Sequence, residues 1–297
     1  MPDNLKQIAV IICTYNRTDD AKINMEIIRR IWTQKLKSKE IIIIHAFNGD
    51  KEWWPEKYLE DELLYLENPG HFTGAALLMD EGIKAVQRLY PLIEYTIVLA
   101  ADTWIVKPSY IEKVVSVMRN DEKYLATTTF APHKGPNWWF TTDFFIINIK
   151  WALKYNFFPI QYQEFINRNG EILNFLGISV IYLEQVVATR YKQALIKAIK
   201  IPSENFIPTL FKRYIYNMKE RDPLVELKED RLTGEMKPEK KYYWRNIGII
   251  CSHDPYKKQK ALKEWNYELG EQGKFFIKAK DFSYFNGGRV YPTDPEV

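Results

Sequence analysis

Four clusters of polar residues between positions 14 and 103 carry side chains of the types that can bind phosphates, sugars or metal ions. An arginine can grip a phosphate through two parallel N–H donors, and a tyrosine ring can stack on a base. A glycine-rich turn before a helix brings backbone N–H groups to an anion, and carboxylate oxygens ligate Mg²⁺ or Mn²⁺. The clusters are Thr14-Tyr15-Asn16-Arg17, Asn48-Gly49-Asp50, the segment 68–74 (N-P-G-H-F-T-G) and Asp102-Thr103.

The segments around these clusters alternate between strands and helices. Apolar patterning predicts strand 8–13, helix 19–34, strand 41–44, helix 74–89, strand 95–100 and a helix opened by Pro108. This order predicts a parallel α/β sheet with covering helices, in which ligands bind beyond the carboxyl ends of the strands. One polar turn there would be ordinary turn chemistry, whereas four in this order indicate a site.

The second half of the chain is less regular. Strands are predicted at 125–130 and 144–149, in mixed directions, and a helix is predicted after Glu184. The segment 190–219 carries seven basic residues and one acidic residue, with five aromatic residues between them. Such a segment is either an ordinary charged face or a surface that approaches anionic lipid, which predicts peripheral membrane contact.

Composition excludes several classes of protein. The 297 residues carry 42 basic and 38 acidic side chains, a net charge of +4, and 46% of them are hydrophobic. These values exclude a disordered chain and disfavour a nucleic-acid-binding protein. Cys13 and Cys251 are too few for a disulfide framework or a thiolate zinc site. Because no targeting segment and no apolar run of about 20 residues is visible, we expect a cytoplasmic protein, at most peripheral to a membrane.

The polar clusters and the apolar residues around them resemble family 2-type glycosyltransferases. The resemblance rests on I-I-C-T-Y-N-R at 11–17, the turn Asn48-Gly49-Asp50, N-P-G-H-F-T-G-A-A-L-L-M-D-E-G-I-K-A at 68–85 and V-L-A-A-D-T-W-I-V-K-P at 98–108. It covers 8–115 well and the remainder loosely. It implies the GT-A fold, a Rossmann-like, mostly parallel α/β sheet flanked by helices, with an irregular C-terminal part.

The resemblance also implies an activity, and it implies different binding roles for the two halves of one continuous domain. Residues 1–120 would form the half that binds the nucleotide-sugar. Residues 121–297 would form the acceptor-binding half and a C-terminal extension. The implied reaction is the transfer of a sugar from a nucleotide-diphospho-sugar donor to a glycan or lipid-linked acceptor, with no nucleic-acid partner.

The donor-binding residues implied by the resemblance lie at the predicted strand ends. They are Thr14, Tyr15, Arg17, Asn48, Asp50, Gly70, His71, Thr73, Gly74, Asp102 and Thr103. Thr14, Tyr15 and Arg17 would line the nucleotide pocket, and Asp50 would hold the base or the ribose. A structural alternative is that Tyr15 packs in the protein and Arg17 pairs with a nearby aspartate.

The segment 68–74 would hold the diphosphate at a helix N-terminus. Gly70 and Gly74 would let the backbone approach the ligand closely. Thr73 would cap the following helix, whose N-terminus favours anionic groups. His71 would touch phosphate or sugar, unless it is simply exposed.

The expected metal site departs from the family pattern. Relatives place Asp-x-Asp after the third strand to hold Mg²⁺ or Mn²⁺, whereas this sequence has Ala100-Ala101-Asp102, so only the second carboxylate is present. One carboxylate can suffice when substrate phosphate and water complete the shell. The resemblance offers His253 as a further ligand, and the alternative is that His253-Asp254 begins a helix.

An inverting transfer requires a carboxylate that accepts the proton of the attacking hydroxyl. Glu184 matches the family position of this base, because Arg190 follows it by six residues. Asp143 competes, since Trp138 and Trp139 nearby could stack on a sugar. Glu184 could instead be a first-turn carboxylate that stabilises its own helix.

Two other functions remain open. Ala100 is compatible with a catalytically silent module that binds nucleotide or glycan. A nucleotidyltransferase of related fold would need a glycine-rich phosphate loop, and 14–20 contain neither glycine nor lysine. A dinucleotide-dependent dehydrogenase is disfavoured, because this sequence has no G-x-G-x-x-G fingerprint after its first predicted strand.

Overall fold

The structure is a computed structural model that describes residues 8–15, 18–32, 41–51, 55–101, 103–105, 109–127, 130–132, 138–175, 181–217, 224–229, 236–241, 249–251, 284–286 and 289–291. Its helices are α1 (Thr18–Ile27, continued by a π-helical turn, Ile28–Trp32), α2 (His71–Leu89), α3 (Ser109–Asn120), α4 (Ile149–Lys154), α5 (Tyr162–Phe175), α6 (Leu183–Ile199) and α7 (Pro208–Arg213), with a 3₁₀ turn at Ser203–Asn205.

The strands of the central sheet are β1 (Ile8–Thr14), β2 (Ile41–Phe47), β3 (Glu62–Tyr65), β4 (Tyr95–Ala100), β6 (Leu125–Thr127), β9 (Phe144–Asn148) and β10 (Ile215–Asn217). The shorter ladders contain β5 (Thr103–Ile105), β7 (Phe130–Pro132), β8 (Trp138–Phe140), β11 (Leu224–Glu229), β12 (Met236–Lys241), β13 (Ile249–Cys251), β14 (Tyr284–Asn286) and β15 (Arg289–Tyr291). In these ladders β5 pairs with β13, β7 with β8, β11 with β12 and β14 with β15.

The central sheet, as far as the structure describes it, has seven strands in the order β10-β6-β9-β4-β1-β2-β3. Only β9 runs antiparallel to its neighbours, β4 and β6. The chain leaves β1 for β2 and β3 and then returns past β1 through α2 to β4. The carboxyl ends of β1 and β4 therefore flank the switch point at which open α/β sheets bind ligands. The predicted fold class, a Rossmann-like and mostly parallel sheet flanked by helices, is confirmed.

Alternate side chains of β1 enter two hydrophobic cores. Ile11 packs into the core that contains α2, and Val10 packs into the core that contains α1 and α3. Gly82 of α2 lies so close to β1 that an added Cβ would meet Cγ2 of Ile11 at 2.5 Å. Since overpacking typically costs about 1–3 kcal/mol, glycine at this position allows α2 to lie tightly on β1.

Several predicted boundaries differ from the structure, and β2, for example, extends three residues beyond its predicted end. The predicted strand 125–130 is divided into β6 and β7, and the predicted helix 19–34 ends its regular turns at Ile27 before the π-helical turn. Helix α2 begins at His71, three residues before the predicted start. No helix in the described ranges combines the length and apolar character needed to cross a membrane.

The aromatic residues of the segment 190–219 belong to the core. They are Tyr191, Phe206, Phe211, Tyr214 and Tyr216, and each is less than a tenth exposed. The rings are thus turned into the protein and are not offered to a lipid surface. Peripheral membrane contact would depend on the basic side chains of this segment alone, and it stays a prediction.

Candidate functional site

The carboxyl ends of β1 and β2 are joined by a buried hydrogen bond between Thr14 and His45. Thr14 Oγ1 lies 3.1 Å from His45 Nε2, and both side chains are buried. Burial, with a smaller effect of Lys22, lowers the pKa of His45 to about 3, so the imidazole is neutral. The backbone N–H of Asn48 also donates to the carbonyl oxygen of Thr14, at 3.2 Å. Thr14 therefore connects the end of β1 to the end of β2 through both its side chain and its backbone.

Tyr15 and Asp50 meet at the rim above these strand ends. The Tyr15 hydroxyl lies 3.4 Å from both carboxylate oxygens of Asp50, which is exposed. The pair leaves an aromatic face and a carboxylate at the outer end of the crevice, a combination that suits a base and a ribose. Arg17, predicted to join them, lies outside the described residues.

The start of α2 is fixed by two asparagines. Asn48 Nδ2 donates to the carbonyl oxygen of Gly74 at 2.9 Å, and Asn68 Oδ1 accepts from the Gly70 N–H at 3.1 Å. Gly70 has a φ of 127°, a conformation that favours glycine. At Gly74 an added Cβ would collide with Asn68 Oδ1 and lie 2.9 Å from Asn48 Nδ2. The backbone conformation at Gly70 and the close asparagine side chains at Gly74 thus explain why glycine occupies these two positions.

The prediction that Thr73 caps α2 is wrong. Gly70 is the N-cap residue, because its positive φ starts the helix at His71 and brings Thr73 into the first turn. Thr73 Oγ1 instead donates to Oε1 of Gln163, at 3.2 Å, across to the start of α5. The side chain of His71 lies outside the described part of the structure. The first N–H groups of α2 still favour an anion.

The backbone on either side of position 102 is held by hydrogen bonds. The Ala101 N–H donates to the carbonyl oxygen of Cys13 at 3.0 Å, beyond the end of β1. Asn24 Nδ2 donates to the carbonyl oxygens of Thr103, at 2.8 Å, and Ala101, at 3.4 Å. Asn24 is fully buried, and its Oδ1 has no partner within the described residues. Sequence patterning did not identify Asn24, because its partners are backbone atoms far away in the chain.

The strand that precedes His253 runs beside the strand that follows Asp102. β13 pairs antiparallel with β5, and Cys251 is the partner of Thr103. Asp102 and His253 themselves lie outside the described residues, so the metal site expected from them stays a prediction. In the ranges that the structure does describe, no three His, Cys, Asp or Glu side chains are grouped to hold a metal ion.

Both candidate bases lie at the same edge of the sheet as the residues predicted to bind the donor. The Ala100 N–H donates to the carbonyl oxygen of Asp143 at 2.9 Å, because β9 begins beside the end of β4. Thr142 Oγ1 donates to Oε1 of Glu184 at 3.5 Å, a long hydrogen bond. Asp143 is exposed and Glu184 is partly buried, in the first turn of α6. Trp139 is partly buried, whereas the side chain of Trp138 is not described.

A single loop between α4 and α5 connects α2 to α6. Asp80 of α2 accepts from the N–H groups of Ile160, at 2.6 Å, and Gln161, at 3.0 Å. Arg190 of α6 donates to the carbonyl oxygens of Pro159, at 2.8 Å, and Ile160, at 3.2 Å. Arg190, singled out for its spacing from Glu184, thus helps to hold this loop.

Asp80 is a buried carboxyl group whose pKa departs from its ordinary value. Burial raises the pKa of Asp80 from 3.8 to about 6, although the two N–H donors act in the opposite direction. Burial, and then the charge of Asp80, raises the pKa of the Cys13 thiol to about 12. Cys13 is therefore a protonated, unreactive thiol at neutral pH. Asp80 lies within the stretch 68–85 that carries the resemblance, whereas its partners Ile160 and Gln161 belong to no motif in the sequence.

No protein-family model and no curated protein matches this chain. Among solved structures it is similar to a glycosyltransferase involved in the glycosylation of the major capsid of PBCV-1, with 14% identity and a TM-score of 0.31 over 50% of this chain and 62% of that chain. The chain thus spans less than two thirds of the PBCV-1 enzyme. It is also similar to 4-diphosphocytidyl-2C-methyl-D-erythritol synthase from Anaerococcus prevotii DSM 20548, with 15% identity and a TM-score of 0.34 over 60% of this chain and 85% of that chain. Similarity at this level assigns neither a family nor an activity.

Proposed function

We propose that this chain is a glycosyltransferase that moves a sugar from a nucleotide-diphosphate donor to a hydroxyl of a glycan or lipid-linked acceptor. The observation that carries the proposal is the convergence, at one sheet edge, of three kinds of group. These are a ring–carboxylate pair, a helix N-terminus and a partly buried carboxylate. They suit a nucleotide, a diphosphate and an acceptor hydroxyl, in that order across the crevice.

On the donor side, Tyr15 and Asp50 would hold the base and the ribose. The first N–H groups of α2 would face the diphosphate, and Asn48 supports this role because its side chain ties the end of β2 to Gly74. Arg17 would add a guanidinium to the phosphates. Thr14 contributes indirectly, since its hydroxyl is engaged with His45.

A divalent cation, Mn²⁺ or Mg²⁺, would be held by Asp102 with help from His253. Two observations are compatible with that ligand pair: Asn24 fixes the carbonyls on either side of Asp102, and β13 runs beside β5. A bound cation would neutralise the diphosphate as it leaves. Ala100 leaves one protein carboxylate, so the donor phosphates and water would complete the shell.

On the acceptor side, Glu184 would accept the proton of the attacking hydroxyl. The hydrogen bond from Thr142 would orient its carboxylate while one oxygen stays available to the acceptor. This role belongs to an inverting transfer. Asp143 is the alternative base, because it is exposed beside the end of β4.

The test begins with thermal shifts of the full chain against a panel of nucleotide-diphospho-sugars, with and without Mn²⁺. Specific binding raises apparent stability by mass action, so one donor should produce a shift that Mn²⁺ increases. Release of nucleoside diphosphate together with a glycosylated product would then support transfer. If no donor shifts the transition, the proposal is wrong.

Two further arms separate the alternatives. Donor binding without any product would favour a silent binding module, which the missing carboxylate at Ala100 makes the second candidate. Pyrophosphate release from a nucleoside triphosphate and a sugar phosphate would favour a nucleotidyltransferase. Activity should be lost with chelator and in Asp102→Ala, and full activity in both would contradict the metal role.

A further inference from the structure

Three aromatic rings meet where the first turns of α2 and α5 approach the N-cap of α6. The ring centroid of Phe72 lies 5.7 Å from that of Tyr162 and 5.9 Å from that of Tyr182. Tyr162 is buried and Phe72 partly buried, but 50% of Tyr182 is exposed. The inner rings therefore support Tyr182, which presents an aromatic surface to solvent.

Hydrogen-bonding groups surround this aromatic surface. Thr73 Oγ1 and Gln163 Oε1 are joined at 3.2 Å beside Phe72, and the Gln163 side chain is exposed. Glu184 follows Tyr182 by two residues. Burial, and then the charge of Glu184, raises the pKa of Tyr162, as expected when that carboxylate lies near the aromatic group. The Glu184 carboxylate thus lies near the aromatic group to which the exposed ring belongs.

The hydrogen bond at the start of α6 uses the backbone of Tyr182. It runs from the backbone N–H of Tyr182 to Oε1 of Gln185, at 3.0 Å. Leu183, which follows, is buried and anchors the helix in the core. The Tyr182 ring packs against Phe72 and stays half exposed, and a tyrosine placed in this way is typical of binding surfaces.

We propose that Tyr182, supported by Phe72, is the platform on which a pyranose ring of the acceptor stacks. A pyranose presents C–H groups on one face and hydroxyls around its edge, which match an aromatic face with a hydroxyl–amide pair beside it. The inference rests on the proposed function and narrows it. The acceptor class is a saccharide, whose attacked hydroxyl lies on the stacked ring or its neighbour, and not a headgroup or protein hydroxyl.

The test measures binding of methyl hexopyranosides to the full chain by saturation-transfer NMR, which needs no turnover. At least one pyranoside should bind, with saturation concentrated on the C–H groups of one ring face. Tyr182→Ala should weaken that binding about tenfold, whereas Tyr182→Phe should retain it. Donor-induced thermal shifts should be the same in all three proteins.

Tyr65→Ala provides a matched control. Tyr65 is 46% exposed and lies edge-to-face with Phe47 at 6.3 Å, much as Tyr182 lies with Phe72, but it ends β3 at the sheet margin. Its loss should leave pyranoside binding unchanged. The inference is overturned if no pyranoside binds while the donor still does, or if Tyr182→Ala binds as well as the unchanged protein. If the unchanged protein binds no donor, the proposed function itself is contradicted.

Discussion

The side-chain amide of Asn24 donates a 2.8 Å hydrogen bond to the carbonyl oxygen of Thr103, across 79 residues of sequence. The same amide reaches the carbonyl oxygen of Ala101. Helix α1 thereby fixes the backbone on both sides of Asp102, at the switch point of the sheet. In this way a buried side chain that need not touch a ligand positions the backbone next to a candidate metal-binding residue.

We expect Asn24→Asp, which keeps the shape but removes the donor, to weaken this turn. Two buried carbonyl oxygens would lose their partner, at a cost of about 1–3 kcal/mol in the free energy of unfolding. The Mn²⁺-dependent part of the donor-induced thermal shift should fall, while the Mn²⁺-independent part remains. Urea denaturation and the thermal-shift panel measure both. An Asn24→Asp protein with unchanged stability and unchanged Mn²⁺ response would contradict this role.

Glu184→Gln and Asp143→Asn should separate the two candidate bases. If Glu184 accepts the proton, kcat of Glu184→Gln falls by a factor on the order of 10²–10⁴, and the KM for the donor changes little. Asp143→Asn should then retain most of its turnover. The reverse pattern, with turnover lost only in Asp143→Asn, would transfer the role to Asp143. Steady-state kinetics with the donor found by thermal shift are the measurement.

Gly74→Ala should lower the affinity for the donor clearly, with only a small change in the free energy of unfolding. Alanine favours a helix by up to about 1 kcal/mol, which offsets part of the collision with Asn48 and Asn68. The displaced asparagines would disturb the first turn of α2, and we expect donor affinity to fall roughly tenfold. The control is Gly170→Ala in α5, where an added Cβ meets nothing within 4 Å. That variant should be slightly more stable and bind the donor normally.

The pKa of Asp80 predicts a stability change in mildly acidic solution. Because the folded pKa of about 6 exceeds the ordinary value of 3.8, the folded protein holds this proton more tightly. This contribution to the free energy of unfolding is complete below the unfolded pKa and is lost as pH rises through about 6. Asp80→Asn should remove it, changing the stability difference between the two proteins by about 2 kcal/mol from roughly pH 4.5 to 7.

The titration of His45 should change the stability with pH in the opposite direction, in the same experiment. Its pKa is lowered to about 3, so the folded protein loses stability as pH falls below the unfolded value of 6.5. His45→Gln should therefore reduce the loss of stability on acidification, whereas Asp80→Asn should increase it. Urea denaturation over this pH range measures both slopes. Equal slopes in the two variants would show that neither group titrates as described.

The residues of the proposed donor side are easier to predict from the sequence than the residues that hold them in place. Polar residues that follow parallel strands meet at one edge, so the neighbourhood of Thr14 and Asn48 follows from strand order. The start of α2 was misjudged because the positive φ of Gly70 begins the helix before its apolar periodicity appears. Asn24 and Asp80 bind backbone atoms about 80 residues away, and such partners leave no pattern in the sequence.

The loop shared by Asp80 and Arg190 has a consequence for how the proposed reaction is organised. In the proposed reaction α2 would hold the donor and α6 carries Glu184, and both helices bind the same backbone segment at 159–161. The two substrates would then approach each other on one rigid support, without a domain movement to align them. The protein groups that orient the two substrates would then already be in place after folding, so each catalytic cycle would need only the binding of the substrates and no further ordering of the site.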